Sequence, residues 1–356
     1  MELFKAHDQW ASRPADERFE TLQDLFAVTH SYALTAREKP DVRLADLRVE
    51  AVDGAVQLIG RGGVPARLTH WSFGQLAARV GAPAAYIRQL PATLAAQNVN
   101  HGLSRRVKGD GETTASLLFH ENGGLLLRAI TSDRYSRVWN YEVAQRLLDL
   151  ESRGWAPAVP DVRGISGAGQ KPLYASDHDM FAFVTHPDRT IREQGNPSGL
   201  RRGLIASNSE VGAGALRLTR FLYREMCGNH IIWGAESVVD LKAIHVGRVR
   251  ERFDAWKIEL VKYLDASVSD DEARIEHART TRIAATKGEV LDLLFGKLSL
   301  SRKVLEAGYA AVQDGDGDPL TPWGVAQGLT RHSQTIPYAD ERMQVDRAAG
   351  KLIDMF

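Results

Sequence analysis

The spacing of apolar and polar residues changes along this chain, and the changes predict its elements. In residues 14–35, Leu22, Leu25 and Phe26 recur at helical spacing behind an acidic start, which predicts a helix. Residues 47–59 alternate instead, as DLRVEAV and AVQLIG around Asp53-Gly54, a dipeptide that tolerates positive φ at both places and predicts a hairpin. After a loop over 60–65, short helices are predicted over 71–80, 84–89 and 92–103. Pro83 and Pro91 stand where the last two begin, and a missing N–H costs nothing there. The connector 104–113 is polar and carries Arg105, Arg106 and Lys108. A second hairpin follows, ASLLFH and LLLRAIT around Asn122-Gly123-Gly124, then a loop over 132–138 and a helix over 141–150. Pro157, Pro160, Pro172 and several glycines make 154–176 a long loop.

Strand character resumes over 180–186 and, past a polar loop at 187–199, over 204–207, 215–224, 230–234 and 238–246. From Arg248 the period returns to that of a helix, with Phe253, Trp256, Leu260 and Leu264 in one stripe. Further helices are predicted over 270–285, 287–297, 300–313, 321–333 and 337–355. The pattern predicts an α+β protein, with a mostly antiparallel β-rich middle, a helical N-terminal insert and an all-helical C-terminal region. The corresponding divisions are 1–104, 105–248 and 249–356.

Composition adds limits. The chain has 356 residues, is 44% hydrophobic and 25% charged, and so resembles an ordinary globular protein able to bury a large core. One cysteine allows no internal disulfide or multi-cysteine metal site and points to a reducing, cytoplasmic setting. The start, MELFKAHDQW, lacks the apolar run of a secretory signal, and no membrane span is expected. Net charge is zero, but residues 189–252 hold 11 basic and 6 acidic side chains, a net of +5, whereas 253–356 hold 13 and 17. A local basic island can act as a phosphate-binding surface, because fields fade within about 10 Å at moderate salt.

Several motifs fail on spacing. Residues 164–171, GISGAGQK, resemble a phosphate loop, but Gln170 separates the last glycine from Lys171 and Pro172 follows it. Residues 314–318 place acids like a calcium loop, yet Pro319 and Val325 occupy the positions of its glycine and its glutamate. Asp179 and His186, seven residues apart on a strand, face opposite ways, so no metal site is expected there, and no cofactor is implied. Cys227 lies in an apolar run and reads as a buried thiol.

Two polar clusters remain, SDRYSRV at 132–138 and the stretch 203–234. In the second, Arg217, Arg220 and Arg224 with Tyr223 stand in a predicted strand. A helix would instead put the three arginines on one stripe. Arginine beside an aromatic ring grips phosphates while bases stack. The opposing reading pairs these arginines internally with Glu210, Glu225 or Asp133.

TSDRYSRVWNYEV, then SNSEVGAGALRLTRFLYREMCGNHIIWG, then TPWGVAQGLT and DERMQVDRAAGKLI, resemble the phage/plasmid-like protein family catalogued as domain of unknown function 932, over roughly residues 70–350. The chain departs from the usual Cys-x-Asn-Gly at His230, so no role for a bare backbone carries over there. The resemblance implies a prokaryotic mobile-element setting. Strands followed by a long helix at 249–265 are, by analogy alone, similar to phage annealing proteins of the Red-beta and RecT type.

The first functional expectation is therefore a non-enzymatic protein that binds and anneals single-stranded nucleic acid. Arg217, Arg220 and Arg224 would contact phosphates, Arg134 and Arg137 would extend the track, and Tyr135 and Tyr223 would stack bases beside Asn229 and His230. A homo-oligomer fits this reading. Two others stay open: an enzyme acting on nucleotides or nucleic acid through Asp133, Asn229 and His230, and a protein-interaction module using the acidic helical tail, such as an inhibitor of host defence.

Overall fold

A computed structural model describes residues 17–60, 63–106, 114–121, 123–157, 173–193, 196–223, 230–231, 245–265, 267–313, 317–333, 335–336 and 339–356. Its α+β architecture has two sheets and three principal hydrophobic cores.

The first sheet has the order β2(Ala36–Arg43), β6(Thr114–Glu121), β7(Leu125–Thr131), β5(Pro65–Leu68), β4(Ala55–Ile59), β3(Arg48–Val52). All its neighbours are antiparallel except β5 and β7, where Arg67 pairs with Leu126 in parallel. The β3–β4 turn is the expected two-residue one, with Asp53 at φ 50° and Gly54 at φ 76°. Helices α2(His70–Arg79), α3(Ala84–Ile87) and α4(Ala92–Arg106) supply Leu76, Ile87 and Val99 to a core with Leu58, Leu127 and Ile130 of the strands. The N-cap of α2 is Thr69, whose hydroxyl accepts the Ser72 N–H at 3.0 Å. Because β6 and β7 complete this sheet, a division at 104 cuts through it. The polar connector reads as a boundary in sequence only because it spans between elements of one sheet.

The second sheet is antiparallel throughout: β1(Arg18–Phe19), β9(Leu173–Ala175), β10(Met180–Glu193), β11(Asn196–Asn208), β12(Arg217–Tyr223), β13(His230–Ile231), with β8(Ala156–Pro157) also beside β10. Met180, Ala182 and Val184, then Leu204 and Ala206, then Leu216 and Leu218, belong to one core with α1(Leu22–Leu34), α5(Asn140–Glu151) and α6(Val249–Asp265). The strand over 217–223 decides against the helical alternative for the arginine stretch.

Two expectations need correction. Residues 187–193 and 196–199 are strand and not loop: β10 and β11 run on as a ribbon to the Glu193–Asn196 pair, with register shifts after Thr185 and Ile191. The segment reads as a loop because a ribbon leaving its sheet has no long apolar face to bury. Its fully buried Ile191 and Leu200 plug into the C-terminal helices. Nor does the helical region begin as a unit at 249, since Phe253, Trp256 and Leu260 of α6 complete the second sheet's core. The third core starts with α7(Val268–Thr280) and continues through α8(Lys287–Lys297), α9(Arg302–Ala310), α10(Pro322–Ser333) and α11(Ala339–Asp354). The helix edges differ from the predicted ones by a few residues, as fraying ends do.

Candidate functional site at the seam between the sheets

Two turns of chain meet where the sheets approach each other: residues 132–140, leaving β7, and 208–215, joining β11 to β12. Asn208 Nδ2 donates to the Val138 carbonyl and to Asn140 Oδ1, both at 2.8 Å. Glu210 Oε1 accepts the Asn140 N–H at 2.8 Å, and Oε2 accepts Arg128 Nη1 at 3.0 Å. Arg128 also donates through Nε and Nη2 to the Asp177 carbonyl. Ser209 Oγ donates to the His178 carbonyl and accepts the Val211 and Ala213 N–H groups. From α2, Trp71 Nε1 and Gln75 Nε2 both donate to the Val211 carbonyl. Gly212 then turns at φ 82°, a conformation that favours glycine. The first cluster and the start of the second are thus one hydrogen-bonded unit.

Beside it opens a cleft of about 530 Å³. Arg79, Ile130, Ser132, Tyr135, Ala215 and His245 are among the residues that line it. Tyr135 is held from several directions. Its hydroxyl donates to the Ser209 carbonyl at 2.7 Å, and its ring stacks on His245 with centroids 4.9 Å apart. Burial raises its hydroxyl pKa well above the ordinary value, against the opposing charge of Arg137. Backbone bonds join the same two stretches: Ser136 N–H donates to the His245 carbonyl at 2.9 Å, and Tyr135 and Val246 form an isolated antiparallel bridge.

His245 is 3% exposed. Its Nδ1, 3.1 Å from the Ser136 carbonyl, must carry the proton, since a carbonyl only accepts. Nε2 is then a bare acceptor, buried and with no partner among the described residues. Burial lowers the imidazole pKa to about 4; the Ser136 bond opposes this, and the charges of Arg137 and Arg250 assist it. Leaving a buried polar atom unmatched costs about 1–3 kcal/mol.

The structure treats the expected contact residues unequally. Arg134 is exposed on the loop, and Arg217 is half-buried with its Nε covered. Arg137 is corrected: it is 5% exposed, Nε and Nη2 donate to Glu38 Oε1 at 3.0 and 2.6 Å, and its guanidinium lies 5.2 Å from the Tyr135 ring centroid. It braces the loop and does not extend an exposed track. Tyr135 is half-buried, lines the cleft and stacks its ring on His245. Glu210 is taken by Arg128 and Asn140. Asp133 is exposed and accepts the Asp41 N–H. The backbones of Arg220, Tyr223 and His230 pair within the second sheet, Arg220 with Leu204 and Tyr223 with both Arg201 and His230. Arg224, Asn229 and Cys227 lie outside the described residues, as does the segment 164–171.

Among the described residues no three acidic, histidine or cysteine side chains gather as metal ligands. Asp179 accepts from Ser176 Oγ at 2.8 Å, and His186 Nε2 lies 2.9 Å from the Arg153 carbonyl, so both have structural partners. Asp318 meets Arg282 at 2.9 Å. Among the described residues, no helix is long and apolar enough to cross a membrane. A second groove, about 400 Å³ between α5 and α6, has a rim already tied by Arg146–Asp254 and Arg250–Glu142 pairs.

His245, Gln75 and Arg79 are site residues that sequence reasoning does not single out. His245 is one histidine in an apolar run, and only the fold carries it to the loop at 132–138. No protein-family model, curated protein or solved structure matches the chain.

Proposed function

We propose that this protein binds single-stranded nucleic acid, with the cleft at the seam as the place where a base leaves the strand, and that strand annealing is the activity served. The observation carrying this reading is that one cleft adjoins both polar clusters, with Arg79 in its lining, Arg134 exposed on its loop, and Arg217 two residues beyond its wall residue Ala215. Arginines hold phosphates, while a largely apolar recess accepts the face of a base, a combination that tolerates many sequences. The antiparallel run β10–β13 followed by α6, which packs on the same core, is the arrangement shared with the annealing-protein analogy. The phage or plasmid setting, the resemblance to the family of unknown function and a homo-oligomeric state belong to the same proposal.

Fluorescence anisotropy with labelled single-stranded and duplex DNA at two salt concentrations tests it. Single strands should bind more tightly. Replacing Arg134 and Arg217 together by Ala should flatten the dependence of log affinity on log salt by about one to two units, since each phosphate contact contributes about 0.7. An unchanged slope in a variant with wild-type thermal unfolding ends the proposal.

A further inference from the structure

Between the cleft and the body of α6, residues 245–252 carry an exposed valine on a firmly held backbone. His245 and Val249, 3% and 1% exposed, anchor the strip from below. Backbone bonds hold it from the side: the His245 carbonyl accepts the Ser136 N–H at 2.9 Å, and Val246 bridges Tyr135. Gly247 then turns at φ 67°, and the Arg252 N–H donates to the Arg248 carbonyl at 3.1 Å as α6 begins.

Val246 is 50% exposed and also lines the cleft, so whatever enters the cleft meets its side chain. A single exposed valine is ordinary on a protein surface. This one is set apart by what surrounds it. Its backbone is tied to the loop at 132–138 and cannot retreat without breaking the bridge. Among the described residues that line the cleft, Arg79 alone is charged at neutral pH, since burial keeps His245 uncharged there. Two cations follow the valine. Arg248 is exposed, and its contact with Glu251 is a loose surface pair at 3.7 Å. Arg252, one turn on, is exposed, and its guanidinium has no partner among the described residues. Arg250 is committed to Glu142.

An apolar group at the lip of a cleft, with cations beyond it, complements a polyanion that carries flat apolar bases. A branched aliphatic side chain has no flat face to offer a base. It acts by coming between two of them, as apolar wedges do at base steps.

We propose that Val246 is a wedge that parts two neighbouring bases of a bound single strand, so that one of them enters the cleft, while Arg248 and Arg252 hold the phosphates that follow. This rests on the single-strand reading above and adds the means by which a base leaves the stack.

The test uses the full chain and a single-stranded oligodeoxynucleotide in which 2-aminopurine alternates with adenine. The fluorescence of 2-aminopurine rises when the base loses its stacking neighbours. Wild type at saturation should brighten the oligomer. Val246→Ala should bind about fourfold more weakly, the worth of about one methylene newly buried, and should brighten the strand clearly less at saturation. Val246→Ile should restore both. Arg248→Ala with Arg252→Ala should brighten the saturated strand as wild type does, but flatten the dependence of log affinity on log salt by about one to one and a half units. These side chains are exposed, so thermal unfolding of each variant should match wild type. A wild type that binds without brightening the strand grips a polyanion by charge alone, which overturns the wedge and leaves the single-strand reading in place. Full brightening by Val246→Ala does the same. An unchanged salt slope in the arginine variant overturns the phosphate contacts assigned to α6. Failure of wild type to bind the oligomer ends both readings.

Discussion

Arg128 of β7 and Glu210, between β11 and β12, form an ion pair at 3.0 Å with side chains 3% and 1% exposed, and it fastens one sheet to the other. The carboxylate's second oxygen holds the Asn140 N–H, and the guanidinium's remaining arms hold the Asp177 carbonyl. Such a pair is satisfied only as a whole. Arg128→Ala strands a buried carboxylate and should cost about 3–5 kcal/mol, read from urea unfolding. Arg128→Met with Glu210→Gln, which leaves no uncompensated charge, should recover a good part of that loss. A double variant no more stable than Arg128→Ala would show that the charges are not coupled.

The neighbouring arginines make a second contrast. Arg134 is exposed, while Arg137 is buried against Glu38, Tyr135 and Trp139. Arg134→Ala should change the unfolding free energy by no more than the small range of surface substitutions, about 0.5 kcal/mol. Arg137→Ala removes two charge-assisted bonds and two aromatic contacts and should lose about 2–4 kcal/mol. Equal stability of the two variants would contradict this placement.

How much of this was legible beforehand depended on range. The Asp53-Gly54 turn and the Gly123-Gly124 turn announce their hairpins through backbone preferences, which are local. The C-terminal helices show in the 3.6-residue period of residues such as Leu291, Leu294 and Leu305. The ribbon at 187–199 was not legible, because its backbone pairs with itself and needs only Ile191 and Leu200 to be apolar. At the site, the polar density marks 132–138 and 203–234, and the part of the second stretch that meets the first is 208–215. Within them Arg137 faces inward and Tyr135 is held by its hydroxyl and its ring, because their partners Glu38, Ser209 and His245 lie far off in sequence. No local pattern distinguishes an arginine that awaits a phosphate from one that holds a distant glutamate.

Leu218 tests the strand register at the centre of the second core. It is buried beside Leu216 and pairs with Ala206 across β11–β12. Leu218→Ala should lower stability by about 2–5 kcal/mol, measured by denaturant unfolding. A loss under about 0.5 kcal/mol would mean that the side chain is not in the core.

The acid limb of the stability curve should carry the signature of His245. An unfolded histidine titrates near 6.5, while burial holds this one at about 4 in the folded state. The unfolded chain therefore binds more protons between those values. The contribution of neutral His245 is fully present above pH 6.5 and is lost as pH falls towards 4. A gap of about two and a half pH units corresponds to a ceiling of about 3 kcal/mol. Burial also lowers the pKa of His120 and His332, so the wild-type curve alone sums several groups. The difference between wild type and His245→Phe isolates this one, and the variant should lose less stability over that interval. Parallel curves would place His245 in a solvated setting.

Glycines in the C-terminal helices divide into those that packing requires and those it does not. A Cβ on Gly328 of α10 would collide with the Gly308 carbonyl oxygen of α9, backbone against side chain, and one on Gly308 would strike Leu329. The two helices thus touch along their glycines, and neither partner can yield without moving a helix. Gly296, near the end of α8, has open space where its Cβ would be. Gly328→Ala should therefore lose about 1–3 kcal/mol through overpacking, with Gly308→Ala similar. Gly296→Ala should gain about 0.5–1 kcal/mol, because alanine favours the helix and restricts the unfolded chain. Thermal unfolding of the three variants side by side decides it, and a stabilised Gly328→Ala would mean that α9 and α10 are not packed this closely.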